Sequence, residues 1–238
     1  DTSQSDVARG LGYTVVDGAT TMATHLSVIL KGNANELLGQ DEAQQLLDRV
    51  AKSYPKLVTN LIPNKIQLST VTQILQNLLS EGIPVKDMRT ITEALTISKS
   101  EPSDADALTA EVRPKLGRMI IQPLIDPAGK LTVITFAGDL ERILESSHQK
   151  SDGAHVLLEP KLAESILKAL ADNAHQIQEK GAVPVLVVSP NLRQWLAKFV
   201  KLRVPELHVL AYTEIPEEQK IELFGSIGGD NAIEDGGR

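Results

Sequence analysis

The chain has 238 residues, 42% hydrophobic and 23% charged, a balance that fits a globular protein and excludes a disordered or collagen-like one. Its net charge is −7, spread as −2, −2 and −3 over residues 1–82, 83–155 and 156–238, so no segment is basic enough to bind a polyanion by counterion release. There is no cysteine, which excludes thiolate chemistry, cysteine-ligated zinc, iron–sulfur clusters and disulfides; aromatic residues, at 3%, are too few for a base-stacking or sugar-stacking platform.

The first residues, Asp1 to Asp6, have no basic start and no apolar core, so they are no signal peptide and read as an internal piece of a longer protein. Tyr13 to Val16 reads as extended, Asp17-Gly18 as a turn, and Thr20 or Thr21 as the cap of a helix carrying His25, Leu26, Ile29 and Leu30 on one side. Asn35 to Leu38 form a small apolar knuckle that Gly39 breaks. Asp41 then caps an amphipathic helix, with Ala43, Leu46, Leu47, Val50 and Ala51 at the spacing of one helix face. Pro55 and Pro63 punctuate the next segment. Ser69 or Thr70 caps a second such helix on Val71, Ile74, Leu75, Leu78 and Leu79, closed by Gly82. Pro84 stands at the front of a third, with Met88, Ile91 and Leu95 on one side.

Beyond a polar loop, Ser103 or Asp104 starts a helix to about Ile121. Lys130 to Phe136 reads as a strand and Gly138 to Ser147 as a short helix, followed by a linker over Lys150 to Gly153. Pro160 begins a long helix that Gly181 ends. Pro184 to Ser189 is a buried strand, Pro190 to about Arg203 a helix, and Glu206–Tyr212 and Lys220–Gly225 are two more strands. The longest apolar stretch, Ala182 to Val188, falls far short of the roughly 20 residues of a spanning helix. The order predicts an α+β protein of several subdomains: a helical region at 1–82, a winged-helix-like subdomain at 83–155, a compact C-terminal α/β subdomain at 156–227 and a disordered tail at 228–238.

Chemistry is sparse. No glycine-rich phosphate loop joins a strand to a helix, and His25, His148, His155, His175 and His208 lack metal-ligand spacing. Ser189 follows a buried strand as a nucleophile would, but Pro190 removes the N–H an oxyanion hole needs, so helix capping is the better reading. Carboxylate pairs such as Glu217-Glu218 and Asp41-Glu42 sit at turns and helix starts. On the helix after Pro190, Trp195, Leu196, Phe199, Val200 and Leu202 share an arc, and Arg193, Lys198 and Lys201 fall outside it on a solvated or subunit-facing side. No enzyme, metal or cofactor is expected.

Several stretches together resemble the large subunit of the flagellar type III protein export gate, the FlhA family. They are Gly12 to Asp17, Ala23 to Leu26, Glu42 to Arg49, Ile74 to Leu79, Pro84 to Ile91, Leu108 to Arg113 and Pro184 to Ser189. The resemblance implies a cytoplasmic part of four subdomains at the inner membrane, here without its first portion, held to the membrane by an absent N-terminal half. It implies a nine-membered ring below the export pore. It further implies binding of flagellar export chaperones with their cargo, contacts with other export-apparatus subunits, and ordering of hook and filament export. The family's chaperone-docking dimple falls by position on Asn35, Leu38, Leu61, Ile66 and Ser69, where Asn35 and Leu38 replace an acidic and an aromatic residue frequent in the family. An apolar dent of this kind suits an incoming amphipathic helix, and the alternative is that Leu38, Leu61 and Ile66 are core. Two other readings are the export gate of a virulence type III secretion system and a winged-helix nucleic-acid module on residues 83–155, against which the acidic balance argues.

Overall fold

A computed structural model describes residues 10–11, 15–150 and 158–228. The extended piece expected at 13–14, the linker beyond residue 150 and the tail from 229 onward lie outside them. Chain contacts divide the protein into two compact units, one of residues 1–92 and 99–109, the other of residues 93–98 and 110–238.

The first unit is helical. Helix α1 (Gly18–Gly32) is capped by Asp17, whose carboxylate accepts the Thr20 N–H, rather than by a threonine. None of its residues is buried. The expected knuckle is a single helical turn, α2 (Ala34–Leu37). Helix α3 (Gln40–Ser53) starts one residue before the expected cap, because the Glu42 carboxylate reaches back to the Gly39 N–H at 2.9 Å. Its buried residues, Ala43, Leu47 and Val50, keep the predicted spacing. Helix α4 (Pro55–Leu61) was not expected; Pro55 opens it at the first helical position instead of breaking the chain.

Helix α5 (Leu68–Ser80) buries Val71, Ile74, Leu75 and Leu78, each worth about 1.5–3 kcal/mol of apolar burial. It ends where Gly82 takes φ +74°, with the Gly82 and Ile83 N–H groups donating to the Leu79 and Leu78 carbonyls. Helix α6 (Met88–Ile97) begins later than Pro84, at the point where Asp87 accepts the Thr90 N–H. The expected single helix from residue 104 to 121 is instead α7 (Ala105–Val112), a 3₁₀ turn (Arg113–Leu116) and α8 (Gly117–Ile121), broken where Pro114 cannot continue the ladder.

The second unit is built on a four-stranded sheet of β1 (Lys130–Phe136), β2 (Val185–Val188), β3 (His208–Ala211) and β4 (Lys220–Ile227). The order is β3-β2-β1-β4 and every pairing is parallel. The compact α/β unit expected at the C-terminus is therefore present, but one of its two central strands comes from the segment read as winged-helix-like. A wing is an antiparallel hairpin, whereas β1 lies parallel between β2 and β4 with Val133 opposite Val185 and Leu223.

Helices α9 (Gly138–Lys150), α10 (Pro160–Glu179) and α11 (Pro190–Val200) supply the rest of this core, in which Leu144, Leu170, Ile177, Leu186 and Leu196 are fully buried. Gly181, at φ +76°, closes α10 as Gly82 closes α5. Residues 212–219 carry the chain from the β3 edge to the β4 edge. Three strand spacings of about 4.8 Å must be crossed, and because β4 runs parallel to the other strands the chain must also travel back to the end at which they start. The segment is pinned by Glu214, in the turn Tyr212–Glu214.

Candidate docking site

The five residues expected to line a dimple are all in the first unit, but they do not form an open apolar surface. Leu61 and Ile66 are fully buried and Leu38 is 7% exposed. The Ile66 N–H donates to the Leu61 carbonyl at 3.0 Å, which folds the end of α4 back on itself and turns both side chains into the core. Leu38 is tied to α5 by the Gln76 amide, whose Nε2 donates to the Leu38 carbonyl at 2.8 Å. Asn35 is half-buried on α2 and Ser69 is exposed in the first turn of α5. The three apolar members are thus core, and the two polar members remain within reach of solvent. Leu37 faces outward on α2, at 60% exposure, one residue away from the position expected to line the dimple.

A concavity of about 590 Å³ lies elsewhere in the same unit, within the size range of ligand pockets. Leu46, Val50 and Leu79 form its apolar floor together with Met88, and Pro84 and Val85 form a wall. Arg49, Lys86 and Arg89 stand around it with Asp87 and Tyr54. The Arg89 guanidinium lies over the Tyr54 ring at 4.6 Å and donates to its hydroxyl at 3.0 Å. Sequence reasoning assigned Leu46, Leu79 and Met88 to helix faces and gave Tyr54 and Val85 no role. The signal available was the run of cations beside a proline-bounded helix start.

In the second unit two arginines from separate segments are buried together. Arg193, expected on the solvated side, is 3% exposed, and so is Glu214. Arg113 is likewise buried. Its Nε and Nη2 donate to the two Glu214 carboxylate oxygens at 2.7 and 2.8 Å, with Arg193 Nε 3.9 Å away. These two arginines are structural rather than a nucleic-acid surface. Ser189 does stand at the N-cap of α11, though its hydroxyl makes no capping bond; its N–H donates to the Glu141 carboxylate at 2.8 Å. His208 is pushed below its ordinary pKa by desolvation. Among the described residues no group of three or more His, Asp or Glu side chains could hold a metal ion, and no helix is long and apolar enough to cross a membrane.

The sequence matches the FHIPEP family over residues 1–220. It is 41% identical over 231 residues to the flagellar biosynthesis protein FlhA of Proteus mirabilis, covering 97% of this chain and 33% of that protein. To FlhA of Bacillus subtilis strain 168 it is 31% identical over 223 residues, 93% of this chain and 33% of that protein. The chain thus spans about a third of the length of the curated relatives it matches. Among solved structures it resembles the Chlamydia pneumoniae CdsV protein with a TM-score of 0.81 and 25% identity, over 94% of this chain and 65% of that one. The nonameric SctV-C of EPEC gives a TM-score of 0.79 and 25% identity, over 94% and 68%. Residues of both units fall inside the matched range, and the chain belongs to the FHIPEP family, together with the flagellar biosynthesis proteins named FlhA.

Proposed function

We propose that this chain is part of a flagellar type III protein export gate, where it serves as a docking platform for export chaperones carrying their cargo, on the cytoplasmic face of the inner membrane. The observation that carries the reading is the 41% identity to an FlhA protein over 231 residues, which runs through the helical unit and the sheet alike. The role needs binding surfaces and no bond made or broken, and it takes no cofactor. Copies of the chain assemble into a ring in the intact protein, a reading supported by the nonameric form of SctV-C. Anchoring to the membrane falls to other parts of such a protein. Export through a virulence type III secretion system is the second reading, favoured by likeness to the EscV cytosolic domain from the type III secretion system; the higher identity to flagellar relatives puts it second.

Titration of the folded chain with a flagellar chaperone–cargo complex, read by calorimetry, tests the platform. Binding in the micromolar range is expected, and no binding by protein with an intact far-UV spectrum overturns it. The direct test of an open dent, Leu38→Asp, would put a charge into the core and report on folding. Asn35→Arg and Ser69→Trp alter the accessible members of that set and leave the core in place. In dilute solution light scattering should give a monomer, because weak ring contacts depend on a high local concentration.

A further inference from the structure

The concavity of the first unit carries a charge opposite to that of the chain. Its lining holds three cations, Arg49, Lys86 and Arg89, and one carboxylate, in a protein of net charge −7. That carboxylate, Asp87, already accepts the Thr90 N–H at the start of α6. Arg89 is held against Tyr54 by its stacking and its hydrogen bond, so part of the entropy of ordering it is spent before a partner arrives. The floor beneath these cations is apolar, and Leu46, Leu79 and Val85 are only half-buried there.

We propose that this groove docks an acidic amphipathic helix of a partner protein, with its apolar face on Leu46, Leu79 and Val85 and its carboxylates against Arg49, Lys86 and Arg89. The proposal rests on the docking-platform reading and names the chemistry of the visitor. A helix is the fitting occupant because this unit has no strand among its described residues, so no sheet edge is on offer to an extended peptide. Apolar contact supplies the affinity, and the cations choose acidic partners and speed their approach.

The test uses a fluorescent peptide of about 20 residues with Leu at i, i+3, i+4 and i+7 and Glu elsewhere, beside the same peptide with Lys in place of Glu. Anisotropy should show the Glu peptide binding the folded chain, more weakly at about 0.5 M salt, and the Lys peptide not binding. The double variant Arg49→Glu/Lys86→Glu should weaken the Glu peptide by about tenfold or more with an unchanged far-UV spectrum. Val85→Asp is the second variant and should weaken it through the apolar wall. Equal binding of the two peptides, or full binding by the folded variants, overturns the proposal. A chaperone–cargo complex that binds wild type and double variant equally sinks the groove and leaves the platform standing. If that complex does not bind while the Glu peptide does, the platform falls and the groove stands.

Discussion

The two units satisfy their buried polar groups in opposite ways. In the helical unit, buried Thr72 and Thr109 each donate to a carbonyl four residues earlier on their own helix, Leu68 and Ala105. In the sheet unit, Glu214 is answered by Arg113, 101 residues away in the chain, and approached by Arg193. In the helical unit these buried hydroxyls are answered within their own helices, and ties such as Gln76 to Leu38 and Asn77 to Thr109 join one helix to the next. The sheet unit depends on residues that meet only once the sheet is assembled. Surface differs as well: α1 exposes Met22, Leu26, Ile29 and Leu30, whereas apolar exposure in the sheet unit is confined to places such as Leu202, Ile221 and Leu223.

The sharpest way to break this contrast is Glu214→Ala, which leaves buried arginines without their carboxylate. A loss of about 3–5 kcal/mol is expected. Trp195, the sole tryptophan, lies in the sheet unit and reports its unfolding in urea by fluorescence. An unmoved midpoint would mean that the pair is dispensable. The matching probe of the helical unit is Leu75→Ala, from a fully buried position, expected to cost about 3 kcal/mol in the far-UV transition. If the Trp195 transition moves as far as the helical one, the units do not unfold separately.

The smallest effect concerns α1. The Thr20 hydroxyl and then its backbone N–H hold the Asp17 carboxyl below its ordinary pKa. A carboxyl lowered in the folded state adds stability above its unfolded value and loses it as pH falls through about 4 and below. Protection of the amides at the N-terminus of α1, taken relative to their intrinsic exchange rate, should therefore fall on acidification, and Asp17→Asn should remove that component. Because α1 buries nothing, the change should stay local.

Much of this architecture was legible in the residues. Runs such as Leu131 to Phe136 and Val185 to Val188 can form little but strands, and the spacing of Val71, Ile74, Leu75 and Leu78 left α5 in no doubt. Pro55 misled because a proline can start a helix as readily as stop one. The partnership of β1 with strands some fifty and ninety residues later has no local mark, so its segment read as a module of its own. The site was less legible for a related reason. Leu61 and Ile66 are apolar under either reading, and only packing decides between core and cleft. Arg193 looked like a surface cation because the burial it shares with Arg113 around Glu214 leaves no mark in the local sequence.

The crossing before β4 has a further consequence for length. Gly117 sits so close to the Glu214 carbonyl oxygen that a methyl group there would overlap it, and the same residue's carboxylate neutralises Arg113. A polypeptide halted anywhere short of residue 214 would leave buried cations unanswered on a sheet still missing a flank. Shortening from that end should therefore cost stability in two steps, first when β4 (Lys220–Ile227) loses its pairing with β1 and again when this acid is gone.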